Sequence, residues 1–205
     1  MQNNIDRYVN GFVGFNNPTL NRLFGEHNNR PDVLPCIGTQ IGSLIYWLAK
    51  SVNAEKIIEF GTCLGYSAII LGEAVKENKG SVISIERAKN HYDEAQKNII
   101  EARLGDYVTL IHGDSKEVFS NLDGPFDLIL QDSQKALYPG MLEECIIKTR
   151  KGGIIIADDA LFKPMGIAEK LSRPIDKYNK MVFSDPRLEN TMIAVGDGIT
   201  VSFVK

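Results

Sequence analysis

The sequence predicts an α/β fold built on a largely parallel sheet. Three observations predict it. Between residues 56 and 158, five apolar, β-rich segments alternate with helical ones, the pattern of strands joined by helical crossovers. The strand segments are almost continuously apolar rather than alternating, as expected of parallel strands buried on both faces. The pattern then changes. TMIAV (191–195), Gly196-Asp197-Gly198 and ITVSF (199–203) read as a β-hairpin with a Gly-rich turn.

The elements follow in order. Residues 1–35 are polar, punctuated by Asn, Gly and Pro, and read as short helices and loops capping a core. Residues 38–50 form a helix with Ile41, Leu44, Ile45 and Leu48 on one face. Tyr46 and Trp47 on this helix are expected in the core. The strands are KIIEF (56–60), SVISIE (81–86), YVTLI (107–111), FDLILQ (126–131) and GIIIAD (153–158), and the helices between them are 68–75, 88–103, 115–122 and 138–150. The mixed-charge segment 163–180 is expected at the surface. There is no internal repeat or second domain in the pattern.

Composition narrows the function. Of 205 residues, 43% are hydrophobic and 24% charged, and the formal net charge is -3. That balance argues against tight nonspecific binding of nucleic acid, which needs many phosphate neutralisations. Cys36, Cys63 and Cys145 are odd in number and far apart, so no disulfide framework or paired-cysteine metal site is expected. The N-terminus lacks a basic stretch followed by an apolar run, and no apolar run approaches the ~20 residues of a membrane span. A cytoplasmic protein without a membrane contact is the expectation.

Chemistry enters at the strand ends. Ligands of open α/β sheets bind beyond the carboxyl ends of the strands, and every predicted strand delivers an acid there: Glu59, Glu86, Asp114, Asp132, and the pair Asp158 and Asp159. A single such acid is usually a cap or a solvated turn; five ends in register point to a cation, sugar hydroxyls, or both. The loop Glu59-Phe60-Gly61-Thr62-Cys63-Leu64-Gly65 spaces two glycines for a tight turn and close backbone approach. It matches neither the dinucleotide nor the phosphate-loop pattern. Its acid would repel a pyrophosphate and suit a cationic ligand, although a plain strand-to-helix turn also fits. Glu86 lies 25 positions after Gly61, near the roughly 20 at which an acid takes ribose hydroxyls; an exposed strand-end acid fits equally. Together, loop and acid favour an adenosine-type cofactor. Asp132, Asp158 and Asp159 offer hard oxygen donors suited to Mg²⁺, with Mn²⁺ or Ca²⁺ as alternatives, against the reading in which the Asp pair caps a helix.

These residues, in this order, resemble the metal-dependent class I O-methyltransferases, the group of catechol and caffeoyl-CoA O-methyltransferases and their bacterial relatives. The resemblance runs from about residue 38 onward through TQIGSLI, IIEFGTCLGYSAI, VISIERAKNHY, HGDS, FDLILQDSQKALY, GGIIIADDALF and DPRLENTMIAVGDGITV. It implies a single Rossmann-like methyltransferase domain with a seven-stranded sheet whose last strand is antiparallel. Residues 1–37 would form a helical cap and 38–205 the core that binds S-adenosylmethionine. It implies that Glu59, Gly61, Gly65, Tyr66 and Ser67 hold the cofactor's methionine end and that Glu86 binds its ribose. Asp114 and Ser115 would lie by the adenine. Asp132, also beside the cofactor, would hold the divalent metal with Asp158 and Asp159. Lys135 falls at the catalytic lysine, with Tyr138 completing the local pattern, and a homodimer is the expected assembly. Two positions depart from the family: Asp159 stands where Asn is usual, and Ser133 and Gln134 replace an aromatic.

The resemblance implies methyl transfer to a hydroxyl of a small aromatic acceptor, best a vicinal diol that chelates the metal, with Lys135 as general base. Relatives that methylate hydroxyuridine in transfer RNA keep an RNA acceptor open, and Lys163, Lys170, Arg173, Lys177 and Lys180 form a modest basic segment. A nucleotide-binding oxidoreductase and a non-catalytic module are the readings outside methyl transfer. His112 is expected to be a structural turn residue.

Overall fold

The computed structural model describes residues 2–205, apart from the side chains of 2, 3 and 28. Three helices come first: α1 (Gln2–Asn10), α2 (Pro18–Asn29) and α3 (Gly38–Ser51). Asn17 starts α2 by accepting from the amides of Thr19 and Leu20, with Pro18 in the first turn, where its missing N–H costs nothing. The strands are β1 (Lys56–Phe60), β2 (Ser81–Glu86), β3 (Val108–His112), β4 (Phe126–Gln131), β5 (Thr149–Ala157), β6 (Leu188–Ile193) and β7 (Ile199–Val204). Between and after them lie α4 (Tyr66–Val75), α5 (Lys89–Glu101), α6 (Ser115–Ser120), α7 (Tyr138–Lys148) and α8 (Glu169–Ser184).

All seven strands join one sheet of order β3-β2-β1-β4-β5-β7-β6. β1 to β5 are parallel to their neighbours. β7 is antiparallel to both β5 and β6, so it alone is reversed. The expected α/β architecture, a mostly parallel sheet closed by an antiparallel hairpin, is the observed one.

Strand side chains alternate between two cores. Ile57, Leu128, Leu130, Ile154 and Ile156 face α2 to α5, while Ile58, Ile129 and Ile155 face α6 to α8. Complete burial of these side chains is worth about 1.5–3 kcal/mol each. Parallel pairing places the carboxyl ends of β1 to β5 along one rim.

Two expectations are corrected. Trp47 is 64% exposed: it points away from the face that buries Ile41, Ile45 and Ala49, and Tyr46 beside it is half-buried against Phe15. The segment 163–180 is mostly α8, which buries Ser172, Ile175, Tyr178 and Val182. Its Tyr178 packs edge-on against Tyr138 with ring centroids 5.6 Å apart. β5 also begins four residues before the expected strand, at Thr149. None of the described helices is long and apolar enough to cross a membrane.

Candidate active site

The loop after β1 is held by an exact fit. Gly61 has φ +101°, and a Cβ there would lie 2.2 Å from the carbonyl oxygen of Asp132. The ends of β1 and β4 therefore touch through backbone alone. Gly65, at φ 93°, is the N-cap residue of α4, so the chain turns into the helix through a conformation that glycine adopts freely. Ser67, in the first turn of α4, is buried. Tyr66 lies in the core at 4% exposure, with its ring near Phe24 and His27 of α2.

Glu59 is fully buried. Ser84 of β2, its register partner, donates a hydrogen bond to it, and Thr62 pairs with Ser84. Burial pushes the Glu59 carboxyl up from 4.5 to about 7, against the lowering effect of the Ser67 and Ser84 hydroxyls. Because the folded state binds this proton more tightly than the unfolded chain does, its contribution to stability is full below pH 4.5 and is lost as pH rises through 7. The loss is about 3 kcal/mol. Urea unfolding of the ligand-free protein at pH 4.5 and 8 will show wild type losing about that much relative to Glu59→Gln; equal losses would mean that the buried carboxyl is not titrating.

Glu86 ends β2 and ties the loop down. Its two oxygens accept from the amides of Cys63 at 2.8 Å and Ala88 at 2.7 Å. Asp114 caps α6, accepting from the amides of Lys116 and Glu117, and Ser115 is buried behind it. His112, expected in a turn, is instead the exposed last residue of β3, paired with Glu86 of β2, with Nε2 3.1 Å from the Arg87 carbonyl.

The structure brings Asp132, Asp158 and Asp159 together: one oxygen from each lies within 4.8 Å of the others. Asp158 is 6% exposed and its Oδ1 has no hydrogen-bond partner. Burial, then the charges of Asp132 and Asp159, push its carboxyl well above the usual range. Burial raises Asp159 as well, although Lys135 opposes it. Asp159 takes a left-handed conformation at φ 67°, with its amide neighbours pinned by β7's approach: the N–H groups of Ala160 and Leu161 donate to the carbonyls of Gly198 and Asp197.

Lys135 belongs to the same cluster. Its Nζ lies 3.0 Å from Asp132 Oδ1, 2.5 Å from Asp159 Oδ2 and 3.0 Å from Tyr138 Oη. Tyr138 donates its own proton to the Gln131 carbonyl, and Gln131 donates in turn to Tyr178. Burial pulls the lysine pKa down, but Tyr138, Asp132 and Asp159 outweigh it and hold it well above the ordinary lysine range. It is an ammonium. One ammonium faces three carboxyl groups, and the Asp158 oxygen Oδ1 has no hydrogen-bond partner among them. This donor set fits a hard divalent cation.

Ser84, Gln131 and Tyr178 support this site and were not among the residues expected from sequence. Ser84 had a signal, as a hydroxyl inside an otherwise apolar strand. Gln134 sets its side-chain amide against the Arg87 guanidinium, where its oxygen, once the amide is turned toward the arginine, accepts at 2.7 and 3.1 Å.

A 3-2-1-4-5-7-6 sheet with acids along its carboxyl rim defines a class of cofactor-binding enzyme. The O-methyltransferase family model matches residues 16–204, and the chain belongs to that family of S-adenosylmethionine-dependent enzymes. A catechol O-methyltransferase from Niastella koreensis is 27% identical over 216 residues, covering 98% of this chain and 96% of the relative. A flavonoid 3',5'-methyltransferase from Vitis vinifera is 29% identical over 176 residues, covering 78% and 74%. Among solved structures, the O-methyltransferase TomG from Streptomyces achromogenes, in complex with SAM, has a TM-score of 0.88 at 22% identity, covering 98% and 96%; that likeness is one of fold.

Proposed function

We propose that the chain transfers the methyl group of S-adenosylmethionine to a hydroxyl of a small vicinal dihydroxy aromatic acceptor, with a divalent metal held by Asp132, Asp158 and Asp159. The observation that carries this reading is the unpartnered, buried Asp158 oxygen beside two further carboxylates, at the rim where the glycine loop opens. Relatives named for catechol and flavonoid substrates support the acceptor class.

The cofactor's residues follow from position. Glu59, pushed to about 7 by burial, suits a ligand that brings its own positive charge, as the sulfonium and ammonium of S-adenosylmethionine do. The turn at Gly61 and Gly65 presents the first amides of α4, at Tyr66 and Ser67, to the methionine carboxylate. Glu86 keeps a lone pair on each oxygen beyond its two backbone bonds and takes ribose hydroxyls; Asp114 and Ser115 flank the adenine. A bound divalent ion supplies Lewis acidity that lowers the acceptor hydroxyl's pKa. Lys135, an ammonium while it holds Asp132 and Asp159, would have to release both and give a proton to solvent before it could take one from the acceptor. We take the chain as one catalytic domain, 38–205, capped by 1–37 and working as a cytoplasmic homodimer.

The test is label transfer from methyl-labelled S-adenosylmethionine to a catechol panel, with Mg²⁺ and then with EDTA. Transfer that EDTA abolishes is expected. Metal-independent transfer would remove the carboxylates from the chemistry, and failure to bind the cofactor would end the proposal. A second reading, an RNA acceptor, rests on the exposed Lys170, Arg173, Lys177 and Lys180 along α8. Steeply salt-dependent RNA binding would favour it.

A further inference from the structure

Lys135 makes more contacts than a waiting base needs. Each of its three N–H donors has an acceptor: Asp132 Oδ1 at 3.0 Å, Asp159 Oδ2 at 2.5 Å and Tyr138 Oη at 3.0 Å. The side chain is 11% exposed. Tyr138 Oη is free to accept because its proton goes to the Gln131 carbonyl at 2.7 Å. The arrangement is local. Lys135 opens a short 3-10 turn three residues after Asp132, so its stem folds straight back over the acid that ends β4.

Asp158 shares the carboxylate cluster and feels the charge of Lys135 without an ion pair to it; its Oδ1 has no partner at 6% exposure. The two acids that Lys135 grips are the two that a dication bound to Asp158 also needs. The carboxylate oxygens lie within 4.8 Å of one another, so such a dication and the ammonium would share a space only a few ångströms across, where like charges repel strongly. Lysine carries a compact charge on a flexible stem and can leave. Asp159 gives that ammonium its shortest contact.

We propose that Lys135 is an internal competitor for the metal: its ammonium cross-links Asp132 and Asp159, and a dication enters by displacing it. This rests on the metal-assisted reading above. Asp159 then has two functions, as anchor for the displaced lysine and as metal donor, and the protein has a built-in threshold for metal loading.

Mn²⁺ is the probe, titrated calorimetrically into the full chain after chelator treatment. Lys135→Met is expected to bind it about tenfold tighter or more than wild type. Asp159→Asn is expected to lose more affinity in the Lys135→Met background than alone, since with the lysine present part of the Asp159 charge is already committed. A second readout uses the unaltered protein: acylation of Lys135 by a succinimidyl ester, followed by mass spectrometry, should rise several-fold on Mn²⁺ addition. It serves also if Lys135→Met fails to fold. Wild-type Mn²⁺ binding with no tighter binding by Lys135→Met, or with unchanged Lys135 labelling, would overturn the competition and leave the metal site standing. No Mn²⁺ binding by any variant would overturn both.

Discussion

Asp158→Asn will cost on the order of a hundredfold or more in methyl transfer, the scale on which even residues behind a metal's direct ligands act, and the variant will be more stable than wild type. Both effects have one cause. The Asp158 carboxyl is buried against two other acids, its Oδ1 is unpartnered, and its pKa is raised well above the ordinary value. A raised carboxyl contributes stability that is present below its unfolded pKa and lost as pH rises through the folded one. At neutral pH the fold carries that cost, and replacing the carboxyl by an amide, which does not titrate, removes it. Gains of about 1 kcal/mol are usual when an active-site strain is removed, or roughly 2–4 °C in a chain of this size. Thermal unfolding in EDTA at pH 7.5, set beside labelled methyl transfer in Mg²⁺, reads both halves. A variant that is both inactive and unstable would mean that Asp158 supports the fold and not a cation.

Gly61→Ala will be the most damaging single methyl group in the molecule. Its Cβ would sit 2.2 Å from the Asp132 carbonyl oxygen, and 2.8 Å from the carbonyl carbon, on backbone that cannot swing aside. Forcing an L residue into the left-handed region costs about 1–2 kcal/mol, and overpacking about 1–3 kcal/mol more. The unfolding midpoint should fall by roughly 5–15 °C. Activity should fall further than stability explains, because the displaced backbone is that of Asp132 itself. Circular dichroism melts and Mn²⁺ titration of the folded fraction separate the two losses; a variant with wild-type melting and metal affinity would show that the two strand ends yield more easily than their geometry allows.

The fold was legible in the sequence where period and composition agreed. KIIEF, SVISIE and FDLILQ became strands at their expected residues, because apolar runs of that length have no stable home except between two helical layers. The O-methyltransferase family was legible through motif order. What escaped was information stored between elements. α8 buries Ser172, Ile175, Tyr178 and Val182 at helical spacing, but Pro174 and interspersed charges obscured the period, and one of the four is polar. Trp47 reads as a core residue by chemistry, yet its place on α3 turns it to solvent.

The candidate site divides in the same way. Three acids meeting at one point followed from strand ends in a parallel sheet, and the structure brings Asp132, Asp158 and Asp159 within reach of one ion. Glu86 and Asp114 also lie on the rim, where both are engaged by backbone amides, the structural work that acids at such places often do. The engagement of Lys135 by two carboxylates and a tyrosine was not legible, since a three-residue interval leaves the direction of a long side chain open. The lysine expected as general base is held by Asp132, Asp159 and Tyr138.

The place of β7 has a consequence for how the protein is made. Synthesis delivers β7 after the other six strands, yet it is inserted between two of them, pairing β5 on one side and β6 on the other. A nascent chain that has emerged only through β6 has a bare edge on β5 and no partner for β6. The carbonyls of Asp197 and Gly198, which fix the turn carrying Asp158 and Asp159, arrive with the same late segment. Long-range pairings of this kind form slowly and leave exposed edges while they wait. The turn carrying Asp158 and Asp159 thus depends on the chain's final hairpin, and translation that stops short of Asp197 would leave the amides of Ala160 and Leu161 without the carbonyls that hold them.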